Sequence, residues 1–213
     1  MYSSKLFDFA LRGDVYVPET PEEMEQYSKF LLESSIAGGD DNIRENITLQ
    51  LIGADSVPGK HGWDGKLGNY KIEVKNETQP SLESQSRMNG SGMFNNVSWR
   101  SFKKYEEDKG LYVHAGYTRE GCLMYCVAFD MKHLLPLIEA KLLAVLPERE
   151  DRDGIDVQVS ISAKDFPDEL EVVLFPALLN HKHYSQKLFR LLTKNWSERT
   201  QIKSTRLAPL SLS

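Results

Sequence analysis

Glu73 and Lys75 have the types and spacing of residues that act on phosphate esters. They are two positions apart in the segment YKIEVKN, so in a β-strand they share one face, while Ile72 and Val74 share the other. A carboxylate can bind a divalent cation, and a neighbouring ammonium can orient water or contact a phosphate oxygen. The pattern predicts a strand with one apolar face and one chemically active face.

Asp64 is brought toward Glu73 by a predicted hairpin. Gly68-Asn69 suits a two-residue turn, and counting outward from this turn pairs Asp64 with Glu73. Directly opposed residues have Cβ atoms about 4.5–5.5 Å apart, and two carboxylates at that distance repel each other. Because Mg²⁺ is commonly held by one or two carboxylates, the spacing predicts a cation between them, with Lys75 near a bound water.

The series Asp64, eight residues, then Glu73-Val74-Lys75 resembles the D-(x)n-(D/E)-x-K signature of the PD-(D/E)XK nuclease superfamily. Trp63 stands where that signature often has proline. The resemblance implies an α/β restriction-endonuclease-like fold with a mixed central sheet flanked by helices. It also implies that Asp64 and Glu73 bind metal, that Lys75 is catalytic, and that Glu45 on the preceding helix approaches the metal.

The same resemblance implies a Mg²⁺-dependent DNA endonuclease in which Mn²⁺ can substitute. A type II restriction-like enzyme is the leading expectation, with DNA as its partner and a homodimer as the assembly such enzymes often form. Two alternatives stay open. One is a repair, recombination or phage DNA-processing nuclease of the same fold, and the other is a non-catalytic binding protein that retains the fold.

Residues 76–104 contain amide and basic side chains that suit DNA. Asn and Gln can bond adenine edges, Arg can bond guanine, and Lys and Arg can hold phosphates. Residues 76–96 are polar and predict a long loop after the catalytic strand, for which an ordinary solvated loop is an equal alternative. The candidate DNA contacts are Asn76, Gln79, Gln85, Arg87, Asn89, Asn95, Arg100, Lys103 and Lys104.

The charge distribution is uneven. The chain has a net charge of −5, which argues against a protein that simply coats nucleic acid. Residues 60–104 nevertheless carry eight Lys/Arg and four Asp/Glu, and residues 181–206 carry seven and one. The first basic segment contains the Glu73 motif, whereas the second is explained equally well by a solvated helix face.

The elements that must position these residues follow from caps and periodicity. Thr20 and Pro21 begin one helix, and Gly38 ends it. The sequence predicts further helices over 40–53, 97–107 and 131–146 and a basic C-terminal helix over about 182–198. It predicts strands at 62–67, 70–76, 111–118, 121–129, 155–161 and 170–175. All 213 residues are expected to form a single domain with a core over about 40–180.

Structural roles are predicted for the other cysteine, histidine and tryptophan residues that could do chemistry. Cys122 and Cys126 fall on one strand face and are interpreted as reduced core residues. His61 and Trp63 would point away from Asp64 in a regular strand, which predicts packing roles. His181 and His183 lack acidic partners nearby. No signal-peptide layout and no membrane-length apolar run occur, so a cytoplasmic protein is expected.

Overall fold

The computed structural model describes residues 20–21, 40–57, 62–79, 87–118, 123–175 and 181–199. This part of the chain forms four α-helices, eight β-strands and two short 3₁₀ helices, at Met131–His133 and His181–His183. The α-helices are α1 (Asp40–Leu51), α2 (Trp99–Glu107), α3 (Leu135–Val145) and α4 (Gln186–Arg199). The strands are β1 (Asp55–Ser56), β2 (Gly65–Leu67), β3 (Tyr70–Thr78), β4 (Gly92–Val97), β5 (Gly110–Tyr117), β6 (Leu123–Asp130), β7 (Val157–Ile161) and β8 (Val172–Leu174).

The fold is mixed α/β, with a mostly antiparallel central sheet flanked by the four helices. The strand order is β1-β2-β3-β5-β6-β8, and every neighbouring pair is antiparallel except the parallel pair of β3 and β5. Strands β4 and β7 form a separate two-stranded antiparallel sheet. A parallel pair needs a crossover connection, which here includes β4 and α2.

Apolar clusters cover both faces of the central sheet. On one face, Ile72 and Val74 of β3 pack in a cluster that includes Leu49 of α1. On the other face, Tyr112 of β5 belongs to a larger cluster with Phe94 of β4 and residues of α2, α3 and α4. Glu73 and Lys75 are on the face of this larger cluster. The alternation of β3 therefore places the candidate chemistry between the sheet and the β4–α2 layer.

Most predicted elements are confirmed near their predicted bounds. The hairpin register is confirmed, because Leu67 pairs with Tyr70 and Gly65 pairs with Ile72. The helix predicted over 97–107 begins at Trp99, since Ser98 caps it through a reciprocal hydrogen-bonded box with Ser101. The helix predicted over 20–38 lies outside the described residues, apart from 20–21, as do Cys122, His61 and Gln85.

The loop predicted over 76–96 is wrong in two places. Strand β3 continues to Thr78, and β4 occupies Gly92–Val97. The sequence of β4 hides its strand because a register shift lies between Phe94 and Val97, and Asn96 within the shift has φ 54°. The extra residue breaks the period of two, so the inward residues Phe94 and Val97 are three positions apart.

Among the helices that the structure describes, none combines the length and apolarity needed to cross a membrane.

Candidate functional site

Strand β3 places Glu73 and Lys75 side by side. Glu73 is 5% exposed, and the Lys75 ammonium donates to Glu73 Oε1 at 2.5 Å. Lys75 Nζ also donates to the Val74 carbonyl oxygen at 3.0 Å and lies 5.3 Å from the centre of the Phe94 ring. The ammonium is thus enclosed by a carboxylate, a carbonyl and an aromatic face, all of which favour its charged form.

Asp64 lies immediately beyond the hairpin ladder. The last β2–β3 pair is Gly65 with Ile72, and the Asp64 amide donates to the Ile72 carbonyl oxygen at 2.8 Å. The ladder therefore ends one pair before the predicted pair of Asp64 with Glu73, which is not formed. The Asp64 carboxylate instead accepts a 2.7 Å hydrogen bond through Oδ2 from the amide of Val74, the residue next to Glu73.

Gly65 lets α1 approach this point closely. A Cβ at Gly65 would lie 2.4 Å from a methyl carbon of Leu49 and 3.0 Å from the Asp55 carbonyl oxygen, so a larger residue would force the Leu49 side chain or its surroundings to shift. Glu45 is on the same helix as Leu49, and its carboxyl group is hydrogen-bonded to Asp64. The predicted proximity of Glu45 to the site is thus found in the structure, through a contact between two carboxyl groups.

Burial raises the pKa of all three carboxyl groups of the site. Burial, reinforced by Asp64, raises the pKa of Glu45 from 4.5 to about 8, and burial raises that of Glu73 to about 7 despite Lys75. Burial also raises the pKa of Asp64. Burial opposes the charged form of Lys75, but the carboxylates of Glu73 and Asp64 outweigh it and raise the pKa. Such mutually perturbed groups are typical of functional sites.

The carboxyl groups do not converge into a three-ligand set. Across the described ranges, no three His, Cys, Asp or Glu side chains form a group that could hold a metal ion. Asp64 and Glu73 still offer the oxygen donors that Mg²⁺ prefers, and Mg²⁺ usually keeps waters beside one or two carboxylates. The donor chemistry therefore fits Mg²⁺ with at most these two direct ligands, and Glu45 acts through its bond to Asp64.

Tyr105 belongs to the site and was missed by the sequence patterns. Its hydroxyl donates to Glu73 Oε2 at 3.5 Å, and its ring meets those of Trp63 and Phe94 edge to face, with centroids 5.0 and 6.0 Å away. Burial and the nearby Glu73 carboxylate raise the pKa of Tyr105, so the phenol stays a neutral donor. Only the aromatic residues of α2 hinted at this contact, because their approach to β3 is tertiary.

Trp63 packs, as predicted, but on the side of the site. Its ring contacts Tyr105, and its Nε1 donates to Asp108 Oδ2 at 2.8 Å. The prediction that Trp63 points away assumed a regular strand from residue 61, which is wrong because β2 begins at Gly65. Gly62, at φ 131°, turns the chain just before Trp63. Trp63 therefore links Asp64 to α2.

The sequence patterns also missed a hydrogen-bond network on the same sheet face. Glu77 accepts hydrogen bonds from the Asn89 and Ser91 amides, both at 2.9 Å, and its Oε2 lies 3.0 Å from the Tyr125 hydroxyl. That hydroxyl lies 3.0 Å from His114 Nδ1, and His114 Nε2 lies 3.0 Å from the Ser91 carbonyl oxygen. Burial lowers the pKa of His114 to about 4. This hydrogen-bond network holds residues 89–91 against β3.

The structure divides the candidate DNA contacts. Gln79 is buried at 2% exposure, so its side chain does not reach solvent. Asn76 lies on the opposite face of β3 from Glu73, where Thr48 of α1 donates to its Oδ1 at 3.2 Å. The structure thus places Asn76 and Gln79 apart from the exposed candidates, and Gln85 lies outside the described residues. The exposed candidates are Arg87, Asn89, Asn95, Arg100, Lys103 and Lys104.

The basic C-terminal helix is confirmed as α4, whose inward residues include Leu188 and Leu192. Lys187 pairs with Asp168 at 3.2 Å, so part of its charge is offset. Cys126 is buried as predicted, and burial raises the pKa of its thiol to about 12. None of these residues adds to the site on β3.

No protein-family model matches the chain, and a search of curated proteins finds no significant match.

Proposed function

We propose that the chain is a divalent-metal-dependent DNA endonuclease with a restriction-endonuclease-like fold, and that it acts as a type II restriction-like enzyme. The observation that carries the proposal is the buried Glu73–Lys75 pair on one strand face, with Asp64 bonded to the neighbouring backbone. The order of α1, the β2–β3 hairpin, α2 and the parallel β3–β5 pair supports the fold assignment.

Each residue has a role in phosphodiester hydrolysis. Asp64 and Glu73 would hold Mg²⁺ or Mn²⁺, and a cation there supplies a Lewis acid that activates water and offsets phosphate charge. Glu45 orients Asp64 through their hydrogen bond. Lys75, fixed by Glu73 and the Val74 carbonyl, orients the attacking water or contacts a phosphate oxygen. The surrounding aromatic rings keep bulk water away from these charges.

The decisive test is cleavage of plasmid DNA with Mg²⁺ by wild type, Asp64→Ala, Glu73→Ala and Lys75→Ala. We expect each substitution to reduce the cleavage rate by at least about 100-fold, because each removes a group that acts directly on the reaction. Glu169→Gln, which changes an exposed carboxylate outside the site, should cut like wild type. Undiminished cleavage by all three alanine variants would sink the assignment.

Substrate preference distinguishes a restriction enzyme from a DNA-processing nuclease. Discrete bands from a defined sequence support a restriction-like enzyme, whereas cuts at branched or single-stranded DNA support repair, recombination or phage processing. A homodimer is part of the proposal for double-strand cleavage. Equilibrium sedimentation with and without duplex DNA tests it, and a monomer that breaks both strands in one binding event argues against it.

One observation favours the alternative of a non-catalytic binding protein. The Glu73 carboxylate is already occupied by its ion pair with Lys75, and the described carboxyl groups form no three-ligand set. This alternative predicts that the chain binds no divalent cation. Calorimetry that detects a Mn²⁺ site in wild type, lost in Glu73→Ala, excludes it.

A further inference from the structure

Two lysines on the β2–β3 hairpin stand directly opposite each other. The register pairs Lys66 of β2 with Lys71 of β3. Their neighbours Leu67 and Tyr70 pack on the α1 side of the sheet, so alternation places both lysines on the other face, which also carries Glu73. Lys66 is exposed and Lys71 is half-buried. The hairpin thus presents two ammonium groups on the face of the candidate site.

This arrangement costs free energy in the isolated protein. Like charges directly opposed in a ladder repel each other and destabilise the pairing. Asp55 of β1 lies across from Lys66 in the register, yet neither lysine forms an ion pair within 4.0 Å among the residues described. An external anion that contacts both lysines would remove the repulsion.

The position of the pair relative to Glu73 points to the kind of anion. Lys71 precedes Glu73 by two residues on the same strand face, which is about 6–7 Å along the strand. Lys75 follows Lys71 by four residues on the same strand face, on the far side of Glu73. The ammonium groups of Lys66, Lys71 and Lys75 therefore lie along one face of the sheet. A polyanion with regularly spaced charges matches such a series.

We propose that Lys66 and Lys71 contact the phosphate backbone of double-stranded DNA beside the phosphate to be cleaved. The proposal rests on the proposed function and adds the place where the substrate backbone crosses the protein. Phosphate contacts position a duplex without reading its sequence, so the pair sets affinity and alignment at Glu73. Lys66 and Lys71 are neither metal ligands nor catalytic residues in this proposal.

The test measures binding of a short fluorescein-labelled duplex by anisotropy over a series of salt concentrations, with metal chelated so that no cleavage occurs. Each lost phosphate contact lowers the slope of log affinity against log salt by about 0.9. We expect that decrease for Lys66→Ala and for Lys71→Ala, and roughly twice that for the double variant. Lys66→Arg and Lys71→Arg, which keep the charge, should retain the wild-type slope.

Lys141→Ala is the matched control, because it removes one exposed lysine from α3, a helix that packs on α2 and β7. Its slope should equal that of wild type. Slopes of all three alanine variants equal to the Lys141→Ala slope would overturn the contact. Wild type that binds with the expected lysine dependence but never cleaves with Mg²⁺ supports the contact while it refutes the proposed hydrolysis. Wild type that does not bind duplex DNA overturns both.

Discussion

Glu73 is the residue on which most contacts of the site converge. Its Oε1 accepts from the Lys75 ammonium and its Oε2 from the Tyr105 hydroxyl, so both oxygens have donors although the side chain is almost fully buried. Burial favours the neutral acid, whereas each donor favours the carboxylate. Removing one donor leaves the buried group with less support for its charge and more freedom to rotate.

Tyr105→Phe tests Tyr105 as a positioning residue for Glu73. Loss of a hydrogen bond to a metal-binding carboxylate typically costs 10–100-fold in metal affinity or activity, and the 3.5 Å contact puts Tyr105 near the lower limit. We expect about a tenfold weaker Mn²⁺ affinity by calorimetry and a lower kcat with unchanged KM for DNA. The phenyl ring keeps its packing against Trp63 and Phe94, so Tm should change little.

Tyr70→Phe is the control for this substitution, because Tyr70 lies on the α1 side of the sheet. It should match wild type in both measurements. If Tyr105→Phe also matches wild type, Tyr105 only packs and does not position Glu73.

At the residue scale, sequence patterns predict what depends on local geometry. Glu73 and Lys75 follow from the period of a strand, and Asp64 from the turn at Gly68-Asn69. Tyr105 could not be found this way, since no local rule says which side of α2 faces β3. The chain of Glu77, Tyr125 and His114 was missed for the same reason, because its three residues come from three strands.

At the element scale, the contact of Trp63 with Gly110 fastens the Asp64 segment to β5. A Cβ at Gly110 would lie 2.3 Å from the Trp63 ring and 3.0 Å from the Met131 Cβ. Trp63 also bonds Asp108 at the end of α2. The side chain before Asp64 therefore depends on the absence of a side chain at Gly110.

Gly110→Ala should displace Trp63 and, with it, Asp64. We expect a destabilisation of about 1–3 kcal/mol in urea unfolding, as for other overpacked positions, together with reduced Mg²⁺-dependent cleavage. In the double variant Gly110→Ala/Trp63→Leu the smaller side chain leaves room for the new methyl group. The two destabilisations should therefore sum to more than that of the double variant, and strict additivity would contradict a direct clash.

The elements themselves were predictable where caps and periods are regular. The Asp-rich start of α1, Ser98 before α2 and the turn of the hairpin each carry a local signal. Strand β4 was not predictable, since the bulge at Asn96 erases its alternation and its paired residues in β7 lie 60–69 residues further along the chain. The strand character of β7 was predicted, but its separation from the central sheet depends on that pairing.

At the scale of the whole molecule, the central sheet separates two apolar clusters. The polar groups of the site lie within the larger cluster. The ionisation of these groups therefore bears on the stability of the whole fold. A carboxyl group whose pKa is raised in the folded state stabilises the fold while it holds its proton. That contribution is lost as pH rises from the unfolded pKa through the folded pKa.

Without divalent cations, Tm should fall as pH rises from 4.5 toward 8, because the unfolded chain releases the Glu45 proton above pH 4.5 while the folded protein holds it until about pH 8. Glu45→Gln removes this titration, and the amide can still donate to Asp64. Solvent screening of the half-buried group limits the effect, so we expect the variant to gain about 2–4 °C relative to wild type across this interval. Thermal melts in chelator measure it, with Glu169→Gln as control, and a pH-independent difference contradicts it.

The parallel pairing of β3 with β5 has a consequence for how the chain folds. Lys71 pairs with Gly110 and Thr78 with Tyr117, so every partner is 39 residues away. The hairpin and the Glu73–Lys75 contact are local, whereas Tyr112 and the residues of α2 arrive only after this long loop has closed at an entropic cost. We therefore expect the hairpin and the Glu73–Lys75 contact to form before the crossover closes, while these side chains are still hydrated. Closure of the crossover would then exclude water from Glu73, so we expect the burial that raises its pKa to develop at that stage of folding.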